Sequence, residues 1–573
     1  MDESGSLIRN KNVMKYTRFY IFIVPLMFGL LAGCFEDEGN YNYEEINPPL
    51  WVQEFNEISP KNIYGYAGEG EVMKFNGSSM FKWDGDSATR AKEVRYEWKI
   101  GDVVIGDQLD FEISTDALVE KIGLKRYSND KGEWGTFNII EKETGITFPA
   151  RLYVWIYPTF APDDWYILSE NNGNAKVSVI RSRSTVVQGQ KVINYELKDD
   201  AYKSINGHDI PGKPLDLVME TSRDISASGA CVILTDQVAY EVNLENMEKV
   251  SEVKDQFLDG TPKNFEIVAM KEKAPQSPSL GEGSASFVVT KDGRLFTRMR
   301  SANYLVGKYL TEPYYIDEKG YKITKLGHSV YGGLIPCYDE KNRRVVMATT
   351  WREDVGESME DQVSVYKTRV IPINESYAVP VGGFPEGTEM LYLSAKKHIS
   401  WGYNGTTLLC TVYYNDPTMG LQTLVGDFSF DNRSASLARP MFERWFFLPV
   451  KLDASSVILV SANGRTGTTA DAAKYRDFYT VDNKLYYVQR GTNYSDMEAR
   501  FVEFNASFTS KITSLAYAYF DLDQLWVGCE DGSIYAYDIK NINTPKLLFE
   551  KKLNGKIVSM KQIGWHTSNH DWY

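Results

Sequence analysis

A short hairpin motif returns along this 573-residue chain about every 60 residues, and it restricts the fold more than any other feature. Its clearest copy is Leu525-Trp-Val-Gly-Cys-Glu-Asp-Gly-Ser-Ile-Tyr-Ala-Tyr-Asp-Ile539, two runs rich in β-branched and aromatic residues around Asp531-Gly532. An Asp-Gly pair accepts the positive φ angles of a type I′ turn, so the stretch predicts a tight β-hairpin. Looser copies are Cys231–Tyr240, Phe287–Phe296 and Tyr479–Tyr487, and weaker ones turn near Asn172-Gly173, Asn342 and Asn404-Gly405. The seven turn positions, 172, 236, 292, 342, 404, 482 and 531, lie 49 to 78 residues apart. Repetition at this period, built of strands without helices, points to a β-propeller with one sheet per repeat. Seven turns suggest about seven blades; because three of them are weak, six and eight stay open.

The N-terminus carries a different kind of signal. Met14-Lys-Tyr-Thr-Arg18 is a basic leader and Phe19–Leu31 an apolar core, shorter than the roughly 20 apolar residues that a bilayer span needs. It ends in Leu31-Ala-Gly-Cys34, the pattern of a bacterial lipoprotein signal. Cys34 is therefore the expected lipid-attachment site and first mature residue, with several acyl chains giving the stable anchoring that one chain cannot. Residues 1–13 read as an upstream start-codon choice. The acidic run Phe35-Glu-Asp-Glu38 resembles the export signal of surface lipoproteins in Bacteroidetes, and a generic acidic linker is the plainer reading. The polar stretch up to Pro48-Pro49 predicts an extended tether.

Composition fits an exported, all-β chain: 12 Trp, 37 Tyr and 27 Phe, with no long stretch of 3.6-residue apolar periodicity. The net charge is −14, and near −16 once residues 1–33 are set aside, since these carry four basic and two acidic side chains. That balance argues against nucleic acid as a partner. Cys231, Cys337, Cys410 and Cys529 show no CxxC spacing and read as buried thiols, although spacing alone leaves a disulfide between adjacent repeats open.

Residues 50–161 look different from the repeats. Tyr96-Glu-Trp98 lies on an alternating run, Gly101 precedes a second strand through Val103-Val-Ile105, and Glu143–Phe148 turns into Arg151–Tyr157. A Trp on a central strand within about 100 residues predicts an immunoglobulin-like sandwich. These features, with Glu38-Gly-Asn-Tyr-Asn-Tyr43 and Asp164-Trp-Tyr-Ile-Leu-Ser-Glu170, resemble the PKD-like lipoproteins of Bacteroidetes. The resemblance covers the first 180 residues well and the repeats only in outline. It implies a place at the cell surface beside a Sus-type nutrient importer, a TonB-dependent barrel capped by a lipoprotein lid. It also implies peptide or oligosaccharide as the ligand classes, with a slight lean to peptide, but names no ligand.

Catalytic motifs are scarce. His208, His328, His398, His566 and His570 form no HExxH, and His566 with His570 sits in a polar tail that would need a third ligand such as Asp571. Gly281–Ser286 fails the nucleophile-elbow pattern, and the glycine-rich loop Ala462–Thr469 lacks the lysine of a P-loop. No metal, cofactor or catalytic residue is assigned, and no carboxylate pair can be nominated among 77 acidic residues. Binding has better candidates in aromatics beside polar groups: Trp351 with Arg352, Trp401 with Tyr403, and Arg444 with Trp445. Exposed rings stack on sugars or grip apolar side chains, and Arg binds carboxylates in bidentate fashion. The plainer reading packs each Trp between neighbouring sheets.

The sequence thus divides into a lipoprotein signal (1–33), a lipidated tether (34–49), a PKD-like sandwich (50–161) and a β-propeller (162–573). The expected role is an outer-membrane, outward-facing lipoprotein that captures ligand or acts as a scaffold in a Sus-type import complex, without catalysis of its own. The rivals are a surface glycan hydrolase or lyase on a propeller scaffold, and a purely structural partner of the importer.

Overall fold

A computed structural model describes residues 47–562, apart from 53–61, 69, 86, 124–131, 158, 162–163, 188–189, 221–229, 274–283, 301–306, 330–333, 357–362, 400–406, 432–435, 438–443, 461–475, 491–498 and 519–522. The chain is all-β, 56% strand and 7% helix. It divides into two compact units, one comprising Met1–Ile63, Phe75–Phe111 and Gly135–Leu152, the other comprising Tyr64–Lys74, Glu112–Trp134 and Tyr153–Tyr573. The expected lipoprotein signal, Cys34 and most of the expected tether lie outside the described residues.

In the first unit the strand Val94–Ile100 is central, pairing antiparallel with Val103–Gly106 on one side and Glu133–Glu141 on the other. The expected tryptophan is its keystone. Trp98 is fully buried, stacks on Phe137 at 4.0 Å and donates its indole N–H to the Gln108 carbonyl at 2.8 Å. Burying the ring removes a large apolar surface from water, and the hydrogen bond satisfies the one polar atom it carries. At the start of Glu143–Phe148 a turn forms at Thr144-Gly145, with Gly145 at φ +72° and its N–H on the Glu141 carbonyl. The end of the expected tether is already held here: Arg90 Nη2 donates to the Asn47 carbonyl at 3.0 Å, and Leu50–Trp51 pairs with Phe81–Lys82.

In the second unit, seven sheets, antiparallel but for one parallel edge pair in the fifth, follow one another among the described residues from Trp165 onward. Each of the seven turns anticipated from sequence falls between neighbouring strands of a different sheet, with Asn404-Gly405 itself outside the described residues. The order is sequential except in the first sheet, where the late strand Lys556–Lys561 lines up antiparallel to Trp165–Asn171, and in the fifth, whose edge is the early strand His328–Ser329.

Middle strands such as Leu334–Asp339 and Gln524–Cys529 are buried on both faces. That is why they read as continuous apolar runs rather than alternating ones. The final strand of the seventh sheet, Lys546–Lys552, is mostly exposed and correspondingly charged. Apolar clusters join each sheet to the next. Tyr166 and Leu168 pack with Leu217 and Ile233, and Val232 and Val218 with Val288 and Phe296. Further clusters join the third sheet to the fourth, the fourth to the fifth, the fifth to the sixth and the sixth to the seventh. The last places Trp526 and Ile534 of the seventh sheet against Trp165 and Ile167 of the first, with the two indoles stacked at 4.2 Å.

Three expectations change in detail. The Asp531-Gly532 hairpin forms, but Asp531 lacks a positive φ. Gly532 alone has one, at +88°, and its N–H closes back on the Cys529 carbonyl, so the loop is a turn ending in a left-handed glycine. The two-residue turn with both φ positive is at Asn172-Gly173, at +52° and +80°. The repeats are also not free of helix, since Ala201–Asn206 forms one turn-and-a-half between the first two sheets. Cys231, Cys337, Cys410 and Cys529 are buried free thiols, as expected, with burial pushing Cys529 up to about 12.

Candidate functional site

The first strands of the repeats share an irregularity. The pairing register shifts near the start of Pro214–Glu220, Ile267–Lys273, Ile323–Leu326, Glu389–Ile399 and Ile512–Tyr517. The late strand Lys556–Lys561 has a similar shift opposite Leu168 and Ser169. Such bulges add twist and re-aim side chains, a common device near binding sites.

Asp216 sits immediately after one of these shifts and is the hub of a charged cluster. Its Oδ2 accepts from Lys271 Nζ at 2.6 Å, and its Oδ1 accepts from Ser559 Oγ at 2.8 Å and from the Leu217 N–H at 2.9 Å. Lys561 Nζ stands 3.7 Å from the same Oδ1, an ion-pair contact without a hydrogen bond. Asp216, Lys271 and Ser559–Lys561 come from edge strands of three different sheets.

His328 adds a fourth edge strand, pairing in parallel with Ser394–Ala395, and its ring stacks on Tyr392 at 5.1 Å. The imidazole lies within electrostatic reach of Asp216, Lys271 and Lys561.

The electrostatics follow from enclosure. Burial works against the Asp216 carboxylate, but Lys271, Lys561 and the hydrogen bond from Lys271 outweigh it, holding the group well below the usual carboxylate range. Lys561 is drawn up by Asp216, yet burial and the like charge of Lys271 prevail and lower it. Burial first, then the two ammonium groups, push His328 well below its ordinary value, so the ring is neutral at pH 7. The side chains nevertheless keep 22% (Asp216), 18% (Lys271) and 32% (Lys561) of their surface open. The groups are enclosed by protein and still wetted.

The residues singled out from sequence are elsewhere. Trp351 and Arg352 belong to Arg344–Val355, opposite Lys367 and Tyr366, and their side chains lie outside what is described. Trp401 and Tyr403 lie outside the described residues, as do His566, His570 and the Ala462–Thr469 loop. Arg444 and Trp445 sit on the far edge of the fifth sheet from His328. The Arg444 guanidinium is committed to the buried carboxylate of Asp427 at 3.4 Å, which also accepts from Thr411. Trp445 is half-exposed with an edge-on contact to Phe447. Among the described residues, no three His, Cys, Asp or Glu side chains are grouped to hold a metal ion.

The signal that marks Asp216 and Lys271 is a charge among the apolar residues of a first strand, as in Pro-Leu-Asp-Leu-Val-Met and Ile-Val-Ala-Met-Lys; Lys561 ends the late strand Lys556–Lys561. A Trp-centred search for ligand sites passes over that signal.

Residues 34–214 match the PKD-like family, so the match begins at Cys34 and runs past residue 161 into the first repeat. No curated protein matches the chain. Among solved structures, a quinonprotein alcohol dehydrogenase-like protein from Bacteroides thetaiotaomicron aligns over 91% of this chain and 100% of its own, at 10% identity and a TM-score of 0.34. AztD from Citrobacter koseri aligns over 82% of this chain and 97% of its own, at 12% identity and 0.34. A Lactobacillus plantarum protein aligns over 70% and 98%, at 8% identity and 0.40.

Proposed function

We propose that the seven successive sheets are the blades of a β-propeller carried by a lipid-anchored protein whose role is ligand capture or scaffolding, without catalysis. The propeller reading is supported by the apolar clusters that run from each sheet to the next and from the seventh back to the first. The pairing of Lys556–Lys561 with Trp165–Asn171, which joins late and early chain in one sheet, supports it further. The observation that carries ligand capture is the convergence of Asp216, Lys271, Lys561 and His328 from four edge strands on one wetted interior. Rigid strands that present polar groups to an enclosed space suit recognition.

The setting rests on the sequence: lipid on Cys34, an acidic run behind it, and the PKD-like match over residues 34–214. On this reading the protein faces outward from the outer membrane and accompanies a TonB-dependent barrel and its lipoprotein lid during uptake of peptide or oligosaccharide. The test is a gentle detergent pull-down of the native protein from outer membranes, with mass spectrometry of proteins and small molecules. Recovery of a barrel and lid supports the import role, and a co-purified peptide or glycan names the cargo. Recovery of the protein alone removes the complex from consideration and brings an activity screen on intact cells to the front.

A further inference from the structure

The charge count at the Asp216 cluster does not close. Lys271 and Lys561 bring two ammonium groups, Asp216 brings one carboxylate, and His328 is neutral at pH 7. Among these four side chains one positive charge is left over.

The hydrogen bonding is just as lopsided. Asp216 is well satisfied, with Oδ2 on Lys271 and Oδ1 on both Ser559 and the Leu217 N–H. Lys561 is different. Its contact with Asp216 is 3.7 Å long, too long to be a strong hydrogen bond, so its three donors are under-used. Lys561 keeps 32% of its side-chain surface open, so water meets these donors in the empty site, and an anionic acceptor would replace that water with stronger, charge-assisted hydrogen bonds.

We propose that Lys561, with Lys271 and His328 beside it, forms an anion subsite that binds the carboxylate of a small acidic ligand. The single surplus charge matches a monoanionic group. A dianionic phosphate would overcompensate it and stand against Asp216. Lys561 supplies hydrogen bonds to the ligand oxygens, Lys271 adds long-range attraction while holding Asp216, and the neutral ring of His328 offers one further N–H or lone pair according to its tautomer. Asp216 has two effects. It keeps the two lysines together in the empty site and lowers the affinity for any anion that enters.

This deepens the ligand-capture reading and rests on that part alone. Failure to recover an importer leaves the subsite standing, and failure to bind anions leaves the importer association standing.

The test is calorimetric titration of the purified, detergent-solubilised full chain with sodium succinate monomethyl ester and, separately, with inorganic phosphate, at fixed pH and ionic strength. Expected is saturable binding of the carboxylate in the millimolar range or tighter. Lys561→Met should weaken it at least tenfold, and Asp216→Asn should tighten it severalfold, because the surplus rises from one charge to two. Lys561→Arg, which keeps the charge, should retain binding and guards against a folding defect in the methionine variant. No carboxylate binding by the folded wild type overturns the proposal. So does binding that Lys561→Met leaves unchanged, or a site that takes phosphate and refuses the carboxylate.

Discussion

Asp531 shows how much one turn residue can hold. Its carboxylate accepts from Lys552 Nζ at 2.9 Å, from the Ser533 N–H and hydroxyl at 3.1 Å each, and from Ser510 Oγ at 3.0 Å. Burial alone would raise the group, but these donors win and hold it far below the usual carboxylate range. Asp531→Ala should therefore cost about 1–3 kcal/mol near neutral pH, as expected for lost hydrogen bonds to a charged acceptor. The sign of the pH dependence follows from a lowered folded-state pKa. The stabilisation is complete above the ordinary carboxylate value of about 3.9 and is lost as pH falls below it toward the folded-state value. Urea melts of wild type and variant should differ at pH 7 and draw together below about pH 4. A gap independent of pH would assign the loss to packing. The aspartate was visible in the sequence as half of a turn signal. Its partners were not, because Ser510 and Lys552 reach it only through pairing that no local pattern encodes.

At the scale of the element, the hairpins were legible and their geometry was not. Alternation and turn residues located each strand pair, while the choice of turn depended on how the neighbouring chain packs. Asn172-Gly173, among the weaker signals, is the true two-residue turn; Asp531-Gly532, the strongest, is not. Their glycines separate strain from crowding. A Cβ on Gly173 would meet nothing within 4 Å, whereas one on Gly532 would lie 2.1 Å from the Leu553 carbonyl oxygen. Gly173→Ala should thus carry only the left-handed backbone cost, about 1–2 kcal/mol. Gly532→Ala should cost clearly more, since the following strand must move. Equal losses in parallel thermal melts would show that the strand gives way freely. The register shifts in the first strands were illegible for a related reason. One extra residue moves the side chains after it to the other face, so Asp216 reads as a surface position and lies in the interior.

At the scale of the whole molecule, the second unit depends on its last strand. Lys556–Lys561 supplies the edge of the first sheet, and Ile557 and Met560 join the cluster around the stacked Trp165 and Trp526. A chain stopped after Asn554 should expose both the Trp165–Asn171 edge and that cluster. The expected outcome is a broad, less cooperative melt with increased binding of a hydrophobic dye; a sharp transition near the wild-type temperature would contradict it. Each expected turn fell to a different sheet among the described residues, whereas the sequence had left six or eight repeats open beside seven. The joining of the seventh to the first could not be read from it, because no composition or spacing signal near residue 556 points back to residue 165.

The hydrogen bond between Ser559 and Asp216 spans 343 residues of chain. During synthesis, Asp216 and Lys271 emerge long before the residues that complete their surroundings, so no partly made chain holds the finished cluster. Ligand recognition at Lys561 would then be switched on by the same event that seals the repeats, and a nascent or nicked molecule could not sequester cargo. In such a protein, binding competence is a certificate of completed folding.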